Sequence, residues 1–315
     1  MAHEHAPSHA GHAHGHAHGL AGGHEGVASR ARLRAALALT VSLMAVELAA
    51  AVLSHSLALL SDAGHMLTDA GALGFSLLAL ALASRPPSGA MTFGLRRVEI
   101  LSALANGVTL LLLAALIAYE AVRRLFAPPS VHAQLVLAVA LAGMLVNLLS
   151  VWILAGADRR SLNVEGSFQH VLADLYGFVG TAIAAGVIIA SGFQRADAIA
   201  SLLIAALMTR SGAGLVRDSS RVFLEAAPRG LDPQAVGRAL VEQPGVVEVH
   251  DLHVWEVTSG FAALSAHVLV RADCDCHEAR RRVEAMLLER FALEHTTLQV
   301  DHDRGELLAI APRAT

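Results

Sequence analysis

The sequence contains no lysine, and charged residues make up only 16% of its 315 positions, against about a quarter in soluble domains. All 23 basic residues are therefore arginine, a compositional bias that carries no chemistry of its own. They are scattered through loops instead of forming a basic stripe, and the formal charge is −4, which sets nucleic-acid binding aside. Cysteine is nearly absent too. Cys274 and Cys276 are the only two, and a single intervening residue makes a bridge between them geometrically awkward, so no disulfide framework is implied. There is no Gly-rich loop of the kind that cradles phosphates, which argues against an ATP-driven pump. The first 24 residues lack the apolar core that a cleaved secretory signal needs.

What is abundant is apolar sequence, at 55% of residues. Six segments stand out, at about 33–53, 57–83, 99–122, 133–156, 166–191 and 196–216. Each is long enough to cross roughly 30 Å of hydrocarbon as a helix. Loops with turn residues separate them, such as Arg85-Pro86-Pro87-Ser88-Gly89 and Pro128-Pro129-Ser130. The reading is six membrane-spanning helices over residues 30–219, with membrane lipid as their solvent. Arg30, Arg32, Arg34, Arg85, Arg96, Arg97, Arg159, Arg160, Arg210, Arg217 and Arg221 fall on one side, against Arg123, Arg124 and Arg195 on the other. That imbalance predicts both termini in the cytoplasm, a placement that also keeps the two cysteines in a reducing compartment. The short loops suggest a bacterial inner membrane.

Two further regions flank the spans. Residues 1–29 form a tail expected to be disordered, with His3, His5, His9, His12, His14, His16, His18 and His24 among Gly and Ala. Such a tail either collects metal through neutral imidazoles or is a dispensable low-complexity extension. From 220 to 303 charge density rises and the periodicity changes, predicting a small α+β sandwich in the order helix, strand, strand, helix, strand. Its helices are placed after Asp232-Pro233 and over 277–291, and its strands over 246–258, 261–270 and 296–300. Residues 304–315 are a C-terminal tail.

Ionisable groups at membrane depth are expensive and point to function. The second segment holds Asp62, His65 and Asp69, and the fifth holds His170 and Asp174. His65/Asp69 and His170/Asp174 are both His-x-x-x-Asp, and residues four apart lie on one helix face. One such pair fits an interhelical hydrogen bond or a proton relay as well as a metal. Two identical pairs, in two spans at similar depth, offer two imidazoles and two carboxylates, the donor number and type of tetrahedral zinc. Two negative charges also neutralise a dication. Asp62 is a candidate pathway residue that either faces the same cavity or caps the helix start near Ser61. Glu47, Asn106 and Asn147 read as polar groups holding helices together.

The run from Ser56 to Asp69 (SLALLSDAGHMLTD), the segment Phe93-Gly94-x-x-Arg97-x-Glu99 and His170-x-x-x-Asp174 together resemble the cation diffusion facilitator family, in its zinc-transporting branch. The resemblance covers about 30–301. Leu95 departs from it, since many members have an aromatic residue after Phe-Gly. It implies a six-helix transport domain with a ferredoxin-like cytoplasmic domain, and efflux of zinc, with cadmium, cobalt or nickel as other candidate cargo, in exchange for protons. It also implies a homodimer, a transport site of His65, Asp69, His170 and Asp174, and regulatory zinc ligands at His250, His267, His277 and Asp301. His253 and His295 are nearby candidates, and Cys274, Cys276 and His277 form a soft-ligand cluster that either binds metal or is ordinary loop sequence. Zinc is then cargo and regulator, with no cofactor and no catalytic residues. An intramembrane metallohydrolase would need an open coordination position and a general base; four ligands and no His-Glu-x-x-His argue against it. A metal sensor whose spans serve only as an anchor is the remaining alternative.

Overall fold

The computed structural model describes residues 21–54, 57–127 and 133–303, without the side chains of 21–26, 47, 50–54, 57–65, 68 and 135. Among the described residues six long helices come first: α1 (Ala21–Ser54), α2 (Leu57–Ala83), α3 (Arg97–Phe126), α4 (Ala133–Ala155), α5 (Leu162–Ser191) and α6 (Ala196–Phe223). Helix α1 begins ahead of the boundary expected at residue 30, and α3, α5 and α6 run past their apolar segments. A helix needs apolar side chains only where lipid surrounds it, so its polar ends extend beyond the reach of the hydropathy signal. Four of the helices are long and apolar enough to cross a membrane over their described residues, namely α3, α4 (from Val136), α5 and α6; in α2 the apolar helix Asp69–Ala83 is a shorter piece. Leu116, Leu145, Trp152 and Leu203 are each more than 60% exposed. Water would penalise such side chains, whereas lipid tails do not.

The helices pack as two groups that share α5. Leu33 and Ala36 of α1, Leu73 of α2, Leu154 of α4 and Val164, Phe168 and Val171 of α5 form one buried cluster. Leu110 and Ala114 of α3, Ala173 of α5, and Met208 and Leu215 of α6 form the other. Helices α3 and α6 cross closely because Gly107 and Gly212 face each other. A Cβ on Gly107 would lie 2.9 Å from Leu215 Cβ and 3.1 Å from Gly212 O. Helix α5 is well bounded: Ser161 caps its start by accepting from Val164 N–H, and Gly192 closes it at φ 73°.

The C-terminal domain follows the order expected from the sequence. Helix α7 (Pro233–Val241) is capped by Asp232, which accepts from Gln234 N–H. Strands β1 (Val246–Thr258) and β2 (Phe261–Val270) pair antiparallel around Ser259-Gly260. Helix α8 (Cys276–Phe291) crosses over to β3 (His295–His302), which pairs parallel with β2, giving the sheet order β1-β2-β3. Ala266, Val268 and Val270 alternate inward along β2. Val236 and Leu240 of α7 pack with Val283 and Leu287 of α8 against the sheet, so the opposite sheet face stays open.

The β1–β2 turn docks on the starts of two membrane helices. Ser259 Oγ accepts from Leu162 N–H at 3.0 Å, Thr258 Oγ1 donates to Arg96 O at 3.3 Å, and Ser161 Oγ donates to Glu99 Oε1 at 2.5 Å. The Arg96 guanidinium sits 4.7 Å over the Phe261 ring, and Arg97 pairs with Glu225 at 3.1 Å.

Candidate metal centres

Helices α2 and α5 bring Asp69, His170 and Asp174 together. His170 Nε2 lies 3.2 Å from Asp69 Oδ1 and 4.0 Å from Asp174 Oδ2, and one ligand atom from each residue falls within 4.8 Å of the other two. The imidazole is 1% exposed and the two carboxylates 12% and 9%. Ligand atoms about 2.1 Å from a tetrahedral zinc stand roughly 3.4 Å apart, so the observed separations bracket those of a bound ion. An imidazole between two carboxylates holds a proton or a dication by the same nitrogen, not both. His170 Nδ1 is buried with no hydrogen-bond partner among the described residues. His65 lies on α2 one turn before Asp69; its side chain, like that of Asp62, falls outside the described residues.

A second cluster lies on the open face of the C-terminal sheet. His250 and His267 are directly paired across β1 and β2, with ring centroids 5.2 Å apart and nearly perpendicular. Asp251 completes the group, each of the three offering a ligand atom within 4.8 Å of the others, and its Oδ2 lies 3.5 Å from His267 Nδ1. Consecutive strand residues ordinarily point to opposite faces. Here the register breaks between His250 and His253 and Asp251 adopts φ 49°, a bulge that turns the carboxylate to the histidine side. The sequence reading missed Asp251. The signal was present as three polar residues, His250, Asp251 and His253, in a four-residue stretch of otherwise alternating strand.

The other expected ligands lie elsewhere in this chain. His277 lies in the first turn of α8, where its backbone N–H is capped by Asp275. Asp301 sits on β3 and accepts from Gln299 Nε2 at 2.8 Å. His295 packs against Phe93 and Phe261, and His253 lines a cleft of about 1020 Å³ between the two domains. Cys274 and Cys276 pack against Val268, Val270 and Ala279, and neither joins a metal-holding group among the described residues. Two capping N–H groups, of Glu278 and His277, hold the Asp275 carboxyl below the usual aspartate range.

Sequence comparison assigns both halves. Residues 33–224 match the cation efflux transmembrane domain, and residues 228–303 match the cation efflux protein cytoplasmic domain. The chain belongs to the cation efflux family. Within that family it is 40% identical over 273 residues to the zinc transporter ZitB of Escherichia coli, covering 86% of this chain and 87% of that one. It is 37% identical over 278 residues to the cadmium, cobalt and zinc/H(+)-K(+) antiporter of Bacillus subtilis, covering 86% and 89%. Among solved structures, the metal-bound C-terminal domain of the CzcD transporter from Cupriavidus metallidurans aligns at 32% identity and a TM-score of 0.22, covering 22% of this chain and 97% of that one. This cation efflux protein is thus a metal transporter with membrane helices and a small cytoplasmic sheet domain, and not an enzyme.

Proposed function

We propose that this protein exports zinc from the cytoplasm in exchange for protons, through a site of His65, Asp69, His170 and Asp174 that is exposed alternately to the two sides of the membrane. The observation that carries the reading is the buried His170 Nε2 between the carboxylates of Asp69 and Asp174. Metal binds only when the imidazole is neutral and the carboxylates are ionised, so zinc arrival displaces protons and returning protons displace zinc. The two carboxylates neutralise the dication, and a neutral cargo complex can be reoriented without moving net charge through lipid. Cadmium, cobalt and nickel, with similar donor preferences, are secondary cargo.

The architecture proposed around the site is six spans over residues 30–219 with both termini in the cytoplasm, in a bacterial inner membrane. A ferredoxin-like domain over 220–303 joins two copies as a homodimer, and the tails 1–29 and 304–315 flank them. Zinc held by His250 and His267 biases the transporter, provided it binds one conformation more tightly than the other. Asp251 supports that site from within the chain. His277 and Asp301 belong to it only if the dimer or a rearrangement brings them in. The His-rich tail gathers zinc for the cytoplasmic opening, and Asp62 borders the path.

The test is zinc uptake into proteoliposomes under an imposed proton gradient, comparing the unchanged protein with Asp174→Ala. Gradient-driven flux that the substitution abolishes is expected. Flux that survives would remove the site from the mechanism, and absence of flux in both proteins would favour a membrane-anchored metal sensor.

A further inference from the structure

Between the transport site and the cytoplasmic domain lies a fully buried group of uncharged polar side chains. Ser76 of α2 is its centre. Asn106 Nδ2 of α3 donates to Ser76 Oγ at 3.3 Å, Ser167 Oγ of α5 donates to Ser76 Oγ at 2.8 Å, and Asn163 Nδ2 of α5 donates to the Ser76 carbonyl at 2.8 Å. None of these residues is more than 3% exposed. Ser102, one turn before Asn106 on α3, is 0% exposed. Asn163 Oδ1 and Ser102 Oγ have no hydrogen-bond partner among the described residues.

The position follows from the helix order. Ser76 lies seven residues beyond Asp69, and Asn163 lies seven residues before His170. At about 1.5 Å per residue the group sits roughly 10 Å from the metal ligands. It sits towards the end of α5 that the cytoplasmic domain touches through Ser259. It therefore lies on α2 and α5 between Asp69, His170 and Asp174 and the end of α5 that Ser259 touches.

We infer that Ser76, Asn106, Asn163 and Ser167 form the cytoplasmic gate of the transport site, closed in this conformation and, when open, a weak way station of neutral oxygens for a partly hydrated divalent cation. Hydrogen bonds between Ser76, Asn106, Asn163 and Ser167 serve helix packing, but a purely packing group would leave no buried oxygen unpartnered, since that is costly. Here Asn163 Oδ1 and Ser102 Oγ gain partners only when something polar comes between the helices. Neutral hydroxyl and amide oxygens can replace part of a hydration shell but cannot neutralise two charges, so the ion is not held there and moves on to the carboxylates. None of the gate groups titrates near neutral pH, so proton competition stays with His170 and its carboxylates.

This inference rests on the proposed zinc transport, but its test reads binding separately. Zinc stoichiometry is measured by equilibrium dialysis on the purified full-length chain, and flux on the same preparation in proteoliposomes. Asn163→Asp adds the missing charge and is expected to hold one more zinc per chain than the unchanged protein, while flux falls about tenfold because the ion is trapped. The nearly isosteric Ser76→Cys guards against a folding failure. Its thiolate is expected to make cadmium inhibit zinc flux at about tenfold lower concentration than in the unchanged protein, whose cysteines lie elsewhere. Unchanged zinc stoichiometry in folded Asn163→Asp, or unchanged cadmium sensitivity in Ser76→Cys, overturns the gate. If the unchanged protein transports nothing, the transport reading fails while the stoichiometry of Asn163→Asp still decides whether ions reach the gate.

Discussion

Replacing Gly107 by alanine tests the α3–α6 crossing directly. The added Cβ would sit 2.9 Å from Leu215 Cβ and 3.1 Å from the Gly212 carbonyl. Both atoms are fixed to helix backbone, so no flexible side-chain end can swing away, and the helices must separate by several tenths of an ångström along their shared face. Overpacking of this kind costs about 1–3 kcal/mol. At about 2–4 °C per kcal/mol for a chain of a few hundred residues, a 2 kcal/mol loss lowers the melting midpoint by about 4–8 °C. Gly186→Ala is the control: it also lies within a helix, but no described atom comes within 4 Å of its Cβ. Removing glycine there should gain about 0.5–1 kcal/mol through reduced freedom of the unfolded chain. The assay is thermal unfolding of the detergent-solubilised protein, followed by loss of the monodisperse peak. Equal midpoints for the two variants would refute the claim that close backbone approach holds α3 to α6.

Three further outcomes are expected. Ser259→Ala removes the oxygen that accepts from Leu162 N–H; at about 1 kcal/mol for a lost cap, amide exchange in the first turn of α5 should speed up roughly fivefold, and unchanged exchange would show that the contact carries no energy. Asp251→Asn should weaken zinc binding at the cytoplasmic cluster by about tenfold or more in a zinc titration of a chain that also carries Asp69→Asn, whereas an unaltered titration would leave the bulge without a role. Because the Asp275 carboxyl titrates below its usual range, its charged form stabilises the domain at neutral pH. That contribution is present above the unfolded value of about 3.9 and is lost as pH falls through the lower folded value. Asp275→Asn should therefore flatten the fall in melting midpoint below about pH 4, and an unchanged acid limb would contradict the capping assignment.

The strands and helices of the cytoplasmic domain were legible because turn residues bracket them: Asp232-Pro233, Gln243-Pro244-Gly245 and Ser259-Gly260 mark the ends almost residue by residue. The pairing of His250 with His267 was legible as a shared chemistry but not as a contact, since strand register depends on the turn and on bulges. Asp251 was hidden because it reaches the histidine face only through a left-handed backbone that alternation does not anticipate. In the membrane part, the His-x-x-x-Asp spacing put His170 and Asp174 on one face of α5, and packing sets that face against Asp69 of α2. The Ser76 network was not legible, because serine and asparagine in a span look alike whether they face lipid, a neighbour or a path.

The cap that Ser259 places on α5 also sets an order of assembly. Leu162 leaves the ribosome 97 residues ahead of Ser259, an interval of about 5–20 s at ordinary rates of synthesis. During that time Ser161 already caps Val164 N–H, but the Leu162 N–H at the start of α5 lacks its Ser259 acceptor. The start of α5 is completed only once the β1–β2 turn has been made, so a chain that stops short of Ser259 would carry His170 and Asp174 without the contact that completes their helix.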